Sequence, residues 1–174
     1  MSQIMRPLYW VVALVLTSMM SVYAYAQPSA LPIVRQPVVA NPSAVVEFSM
    51  TSAGSQHTCG LTTTGTVYCW GMNSFGQLGD GSTTDRYSAV AVSMPPSVTF
   101  TSITAGGSHT CGLTSAGAAY CWGANNRGQI GDGSPTNGST ALRTTPVAVS
   151  MPPSVTFTSI TAGGNHTCGL TTYG

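Results

Sequence analysis

The sequence contains no lysine, and charged residues make up only 5% of the chain. After residue 26 the four arginines are balanced by four carboxylates, so this part carries no net charge while its histidines are neutral. Proteins that bind DNA or RNA need a basic stripe that displaces counterions from the phosphates, and scattered arginines do not form one. A phosphate-binding loop is excluded as well, because no lysine and no helix follow the glycine-rich segments. We therefore expect no nucleic-acid partner.

The residue patterns of common enzymes are also missing. The sequence has no G-x-S-x-G motif, no paired carboxylates and no thiol placed for activation. A catalytic set needs different chemical groups within hydrogen-bonding reach of one another. We therefore expect a protein that is not an enzyme and that needs no cofactor.

What the sequence does contain is a repeat. Residues 90–114 recur as residues 147–171 with a single difference, in which Asn165 replaces Ser108, and a fainter copy begins at Val46. Each copy of such a repeat is one supersecondary unit that buries its apolar face only against its neighbours. We predict repeats at residues 46–97, 98–154 and 155–174. The second copy is longer because of an insertion around residues 133–138, which we expect in a solvent-facing loop.

The N-terminus has the pattern of an export signal. Arg6 precedes an apolar run over residues 8–22, and Ala24-Tyr25-Ala26 supplies small residues for a signal peptidase. We predict cleavage after Ala26; the alternative is an uncleaved anchor, for which the run is short against a bilayer core of ~30 Å. Residues 27–45 contain four regularly spaced prolines and are predicted to be an extended linker. We thus expect an exported bacterial chain with no stable membrane span after cleavage.

Within each copy the apolar residues alternate with a period of two, which predicts strands. Residues 57–62 and 66–70 flank the loop Thr63-Thr64-Gly65, and three residues ending in glycine suit a hairpin whose last loop residue is left-handed. The loop sets Leu61 opposite Val67, Gly60 opposite Tyr68 and Cys59 opposite Cys69. One face then carries His57, Cys59, Leu61, Val67 and Cys69, and the other carries Thr58, Gly60, Tyr68 and Trp70. We expect the Tyr68 ring to cover the bare glycine.

The cysteines follow this register. Cys59 and Cys69 form a non-hydrogen-bonded pair, in which the Cα atoms approach to ~4.5 Å, a distance that a disulfide can span. The second copy places Cys111 opposite Cys121 in the same way. Exported chains oxidise such pairs. The alternative is a metal site that includes the repeat histidine, but each copy offers three ligands where structural zinc takes four, so we expect no metal.

Glycine-rich turns follow the second predicted strand of each hairpin. The segments G-Q-L-G-D-G at residues 76–81 and G-Q-I-G-D-G at residues 128–133 place glycines where positive φ is needed, around one buried aliphatic residue. The structural positions are Gly76, Gly79, Gly128 and Gly131. Asp80 and Asp132 are either turn caps or calcium ligands, and one carboxylate in each loop favours the cap.

The sequence ends where a further hairpin would turn. Residues 172–174 align with the loop at residues 63–65, so we interpret the sequence as part of a longer protein; a natural end is the alternative, and it would need a capping copy. Cys168 is predicted to be unpaired within this sequence, because its partner would lie ten residues further on.

These motifs together resemble a known repeat. Residues 105–114 read A-G-G-S-H-T-C-G-L-T, and the H-T-C-G-L-T part recurs in all three copies. Residues 117–133 read G-A-A-Y-C-W-G-A-N-N-R-G-Q-I-G-D-G, with an equivalent at residues 65–81 of the first copy. This signature is similar to the repeat of the regulator of chromosome condensation family, and the signal and cysteines resemble its exported bacterial branch. The resemblance implies an all-β fold: a β-propeller of four-stranded blades, commonly seven, of which the chain supplies two and part of a third.

Within such a propeller the repeated residues are expected to be structural. His57, His109 and His166 fall one in each blade, which separates them, and we expect each to hydrogen-bond the neighbouring blade. Trp70 and Trp122 are expected to pack between blades, the alternative being a stacking platform for a sugar.

Three functions remain after these exclusions. The favoured one is a non-catalytic scaffold whose propeller face binds an unidentified protein or carbohydrate partner. The second is an inhibitor of an extracellular enzyme such as a β-lactamase, as one secreted member of the superfamily implies, for which Phe75 and Tyr87 are the candidate anchors. The third is nucleotide exchange on a small GTPase, the activity of the family founder, and the export signal argues against it.

Overall fold

The protein is described by a computed structural model at residues 46–134 and 142–171. The predicted signal with its cleavage site at Ala26, the proline-rich linker, most of the insertion and the last hairpin tip lie outside these residues. In this part of the chain every regular element is a β-strand, and no helix is long and apolar enough to cross a membrane.

Ten strands form three antiparallel sheets. Sheet 1 contains β1 (Phe48–Ala53), β2 (His57–Thr62), β3 (Val67–Gly71) and β4 (Arg86–Ala91). Sheet 2 contains β5 (Ser102–Ala105), β6 (His109–Leu113), β7 (Ala119–Ala124) and β8 (Leu142–Ala148). Sheet 3 contains β9 (Phe157–Ala162) and β10 (Thr167–Thr171). Strands follow one another in sequence order, and we call each sheet with its loops unit 1, unit 2 or unit 3.

The predicted hairpin register is confirmed. Cys59 lies opposite Cys69, Gly60 opposite Tyr68 and Leu61 opposite Val67. The loop closes through a bond from Thr62 N to Thr66 O of 2.9 Å, and Gly65 has a φ of 81°. Unit 2 repeats this pairing from Gly117, whose φ is 78°.

Each complete hairpin is crosslinked at its centre. Cys59 and Cys69 form a disulfide with Cα atoms 4.1 Å apart, and Cys111 and Cys121 form another at the same separation. Cys168 is a free, exposed thiol. The sulfur pairs lie on the buried face, where they belong to the apolar core between successive sheets.

The ring that covers each strand glycine differs from the expectation. A Cβ on Gly60 would lie 2.5 Å from Cδ1 of Phe48, so this phenylalanine covers the glycine and Tyr68 does not. Phe100 takes the same position over Gly112. A phenylalanine at the start of the first strand in unit 1 and just before it in unit 2 therefore supplies the cover, and Tyr68 packs beside Phe48 with their ring centroids 6.2 Å apart.

Successive units also meet along a line of backbone contacts at the Ala-Gly-Gly segments. Ser55 N donates to Gly106 O at 3.2 Å, and Gly107 N donates to Gly163 O at 3.0 Å. A Cβ on Gly107 would lie 2.5 Å from Gly164 O, closer than side chains approach. Glycine is required here because the backbone of the next unit occupies the space of a side chain.

Alanine substitutions at two of these glycines test whether the close approach of the two backbones excludes a side chain. We expect Gly107→Ala to lower the free energy of unfolding by about 1–3 kcal/mol, because the new methyl group overlaps the carbonyl of Gly164. Gly164→Ala is the matched control, since a Cβ there meets nothing within 4 Å. Urea denaturation followed by tryptophan fluorescence measures both. Equal stabilities of the two variants would contradict the close approach.

Candidate functional site

The loop between β3 and β4 is built around a buried aliphatic side chain. Leu78 is fully buried, and the glycines around it have the positive φ expected from the sequence. The values are 77° at Gly76, 72° at Gly79 and 85° at Gly81. The loop between β7 and β8 repeats this arrangement around Ile130. In its described residues each loop therefore folds around a buried side chain.

Asp80 holds this loop closed. Its Oδ1 accepts hydrogen bonds from Ser82 N at 3.0 Å, Ser82 Oγ at 2.8 Å and Asn73 Nδ2 at 3.1 Å, and its Oδ2 lies 2.7 Å from Nη2 of Arg86. Burial by itself would raise the pKa of Asp80, but hydrogen bonds from Ser82, Arg86 and Asn73 hold the pKa below its ordinary value. The carboxylate therefore acts as a turn cap and ion-pair partner.

The arginine partners are residues that the sequence analysis missed. Asp132 pairs with Arg143, with Nε 2.6 Å from Oδ2, and caps Ser134 as Asp80 caps Ser82. Arg86 is the first residue of β4 and Arg143 the second residue of β8, but the insertion in unit 2 changes their sequence separation from the aspartate, which hid the equivalence. Among the described residues, no group of three or more histidine, cysteine, aspartate or glutamate side chains is placed to hold a metal.

The tip of each loop presents two exposed residues that differ between the units. Ser74 and Phe75 occupy the tip in unit 1, and Asn126 and Arg127 occupy it in unit 2. A buried glutamine fixes each tip: Phe75 N donates to Gln77 Oε1 at 2.9 Å, and Arg127 N donates to the equivalent oxygen of Gln129 at 2.8 Å. The frame is thus repeated while the exposed pair varies. We call these two pairs the tip pairs.

The two aromatic anchors suggested by the sequence have different surroundings. Phe75 belongs to a tip pair and is 39% exposed. Tyr87 lies on β4 and is fully exposed, at the position equivalent to Thr144 of unit 2. Thr144 is contacted by the unit 1 loop, through a bond from Gly81 N to Thr144 O of 2.9 Å. Tyr87 therefore occupies the position whose equivalent in unit 2 contacts the preceding unit, and of the two anchors Phe75 alone belongs to a loop tip.

Two of the three repeat histidines, His57 and His109, lie between units, each against a threonine of the next unit. His57 Nε2 is 2.8 Å from Thr110 Oγ1, which donates its only proton to Gln77 O at 2.8 Å. His57 Nε2 must therefore carry a hydrogen and donate it. His109 makes the same chain through Thr167 to the carbonyl of Gln129. His166 is exposed in the described residues.

Both buried histidines are held neutral. Burial, followed by repulsion from His109, lowers the pKa of His57 from 6.5 to about 4. Burial, followed by repulsion from His166, lowers the pKa of His109 to about 4. The Nδ1 atoms of both rings are buried and have no hydrogen-bond partner among the described residues, so a proton there would have no acceptor. Neutral side chains in this position serve packing rather than acid–base chemistry.

The repeat tryptophan fills the space between two units. Trp122 is fully buried and stacks on Phe100 at a centroid distance of 6.0 Å. A Cβ on Gly79 of unit 1 would lie 2.7 Å from Nε1 of this indole, so the glycine makes room for it. Trp70 stacks on Phe48 in the same way, at 5.9 Å. Trp122 thus packs between units and presents no platform to a sugar.

Antiparallel sheets joined head to tail by these contacts define an all-β repeat scaffold of the propeller class. Two family models, both described as the regulator of chromosome condensation (RCC1) repeat, match the chain, one at residues 51–77 and 100–129 and the other at residues 116–170. Together they cover more than half of the sequence. The chain belongs to the RCC1 repeat family, and its fold is a partial β-propeller.

Curated relatives and solved structures agree with this assignment. The chain is 37% identical over 86 residues to the ultraviolet-B receptor UVR8 of Arabidopsis thaliana, covering 49% of this chain and 20% of the receptor. It is 36% identical over 89 residues to the probable E3 ubiquitin-protein ligase HERC4 of Homo sapiens, covering 51% of this chain and 8% of the ligase. The chain therefore spans a fifth or less of these relatives.

Among solved structures, the crystal structure of Kap60 bound to yeast RCC1 (Prp20) matches with a TM-score of 0.60 and 24% identity, over 70% of this chain and 29% of that one. Human WBSCR16 matches with a TM-score of 0.59 and 26% identity, over 74% of this chain and 32% of that one. The fold and the relatives place the chain among binding and regulatory scaffolds, and no catalytic set is found in its described residues.

The buried histidines generate a pH prediction. Because the folded pKa of about 4 lies below the unfolded value of 6.5, the unfolded chain binds more protons between these pH values, and stability falls as pH decreases through this window. Each histidine contributes up to about 1.4 kcal/mol per pH unit. The aspartate contribution is lost at lower pH, because the folded pKa of each lies below 3.8.

The variant His57→Gln tests this dependence, since the glutamine amide still donates to Thr110 but does not titrate. We expect roughly half of the loss of unfolding free energy between about pH 6.5 and about pH 4.5 to disappear, because one of two linked protons is removed. Urea denaturation at several pH values measures the slope. A slope unchanged by the substitution would show that His57 is not the linked group.

Proposed function

We propose that the chain is part of an exported RCC1-repeat scaffold that binds a protein partner, with a carbohydrate as the alternative ligand, and catalyses no reaction. The tip pairs are the observation that carries this proposal. They place different exposed residues on an identical buried frame in each unit, which is the arrangement a scaffold needs to vary recognition without changing its fold.

The tips belong to one face of the scaffold. In each antiparallel sheet the loop after the first strand and the loop after the third strand lie at the same end, as the bond from Met72 N to Gln56 O of 2.9 Å illustrates. The tip pairs therefore share this end with the β1–β2 loop. The insertion of unit 2 falls in sequence between β7 and β8, and most of it lies outside the described residues. We propose this face as the binding surface.

Export is the second part of the proposal. One disulfide in each complete unit suits an oxidising compartment, where such crosslinks persist. We propose that residues 1–26 are a cleaved signal, that residues 27–45 are a linker, and that the repeats occupy residues 46–97, 98–154 and 155–174. A bacterial periplasm, cell surface or culture medium is the proposed location.

A second candidate is inhibition of a secreted hydrolase, such as a β-lactamase. Phe75 favours it, because an exposed aromatic ring on a rigid loop is the type of side chain that anchors many interfaces. The first candidate is preferred because the equivalent position in unit 2 is Arg127, so only one of the two described tips carries such an anchor.

The binding proposal predicts that capture depends on the tips. The chain is immobilised and exposed to the periplasmic and extracellular proteins of its source organism. A variant with Ser74→Ala, Phe75→Ala and Arg127→Ala should lose at least about tenfold in affinity for a captured partner, because it removes exposed contacts and leaves the buried frame. Asn126 is kept, because its Oδ1 accepts a hydrogen bond of 3.2 Å from the buried Gln129 Nε2 and so belongs to that frame. Surface plasmon resonance with the purified partner measures the affinity.

The matched control is Thr63→Ala with Thr64→Ala, which alters the hairpin turn at the opposite end of sheet 1. It should bind like the unaltered chain. Equal affinity of the tip variant and the unaltered chain would contradict the proposed face, and stoichiometric inhibition of a captured hydrolase would favour the second candidate.

Intact mass spectrometry of the exported chain tests the proposal of export. The chain should begin at Gln27, and a full-length chain with reduced thiols would contradict export.

A further inference from the structure

The two loop tips differ in how the buried glutamine beneath them is hydrogen-bonded. In unit 2 the Gln129 amide uses both of its ends: Oε1 accepts from Arg127 N at 2.8 Å, and Nε2 donates to Asn126 Oδ1 at 3.2 Å. Both bonds are made to residues of the same tip pair. The buried amide of unit 2 is therefore satisfied by the tip above it.

In unit 1 one end of the equivalent amide is open. Gln77 is fully buried, and its Oε1 accepts a hydrogen bond from Phe75 N at 2.9 Å. This bond fixes the orientation of the amide, because a backbone N–H must face the oxygen, and Nε2 then lies on the other side. Nε2 is buried and has no hydrogen-bond partner among the described residues. Ser74 occupies the position of Asn126, and its shorter side chain has no carbonyl oxygen.

The open donor lies at a junction where both units are present. Thr110 Oγ1 of unit 2 donates to Gln77 O at 2.8 Å, and Gly81 N donates to Thr144 O of unit 2 at 2.9 Å. The loop therefore has its neighbouring unit in place. A buried N–H without an acceptor costs the desolvation of that group, which exceeds the net contribution of a typical hydrogen bond. Unit 2 avoids this cost with one different residue at its tip.

We propose that the tip of unit 1 is a subsite for an acceptor oxygen, supplied by an asparagine or aspartate side chain of the protein partner. The oxygen takes the place that Asn126 Oδ1 has in unit 2 and accepts a hydrogen bond from Gln77 Nε2. Ser74 and Phe75 are exposed, so the entering group displaces surface side chains and leaves the core intact. The subsite rests on the proposed function, because it names the chemistry that the tip face recognises.

The first measurement asks whether the donor is open in the unbound chain. Ser74→Asn copies the tip of unit 2, and we expect it to raise the urea midpoint of unfolding by roughly 0.5 M relative to Ser74→Leu, which has a similar shape but no acceptor. Asn126→Ser makes the opposite change in unit 2 and should lower the midpoint of the unaltered chain by a similar amount. Equal midpoints for Ser74→Asn and Ser74→Leu would overturn the proposal, because another group would then already satisfy Gln77.

The second measurement uses the purified partner that the unaltered chain captures. The introduced asparagine oxygen occupies the donor, so Ser74→Asn should bind the partner at least about tenfold more weakly than Ser74→Ala, in which the donor stays open. Surface plasmon resonance measures both affinities. Equal affinities would overturn the subsite and leave the proposed function in place, because the binding face is tested separately by the combined tip variant. A chain that retains no exported protein would overturn both.

Substitutions in the partner identify the acceptor itself. Each exposed asparagine and aspartate of the partner is replaced by alanine in turn. One replacement should weaken binding to the unaltered chain by about tenfold and have little further effect on binding to Ser74→Asn, because the two changes remove the same hydrogen bond. An asparagine at that position assigns an amide oxygen, and an aspartate assigns a carboxylate oxygen. The lack of any such position would overturn the proposal.

Discussion

The contact between successive sheets is the interaction on which the structure depends. The histidine and disulfide of one unit contact the threonine and tryptophan of the next unit. Each sheet therefore carries the histidine side of the contact on one face and the tryptophan side on the other. His57, Thr110 and the carbonyl of Gln77 form a continuous hydrogen-bond chain within this contact. Because two different faces meet, the contact can be repeated along the chain without closing after one pair.

This contact also explains why so many residues recur between the copies of the repeat. A Cβ at the Ala-Gly-Gly segments would overlap the next backbone, the strand glycine lies under a phenylalanine, and the loop glycines have positive φ. The buried histidines between units are neutral, because burial lowers their pKa to about 4, and stability therefore falls in acid. Variation is left to exposed positions such as the tip pairs, so recognition and folding use different residues.

Much of the fold could be predicted because short-range geometry fixes it. A three-residue loop ending in glycine determines the hairpin register, and the register brings Cys59 opposite Cys69. The first strand of each unit escaped this reasoning. Its sequence F-S-M-T-S-A is mostly polar, and the importance of Phe48 follows only from a glycine twelve residues away in the neighbouring strand.

The candidate site was harder to predict from the sequence for similar reasons. Arg86 and Arg143 occupy equivalent places, but the insertion in unit 2 obscures their shared relation to an aspartate. The lowered pKa values of His57 and His109 depend on burial between units, and the tip pairs become visible only when the buried glutamines beneath them are seen. Each of these features depends on contacts that join separate elements.

The most direct test of the inter-unit contact is a double-mutant cycle between His57→Ala and Thr110→Val. The two residues share a hydrogen bond across the interface, so their effects on the free energy of unfolding should be non-additive by about 1–2 kcal/mol. His57→Ala combined with Thr167→Val is the control, and it should be additive because Thr167 bonds His109 instead. Additivity within about 0.5 kcal/mol in both cycles would contradict the account.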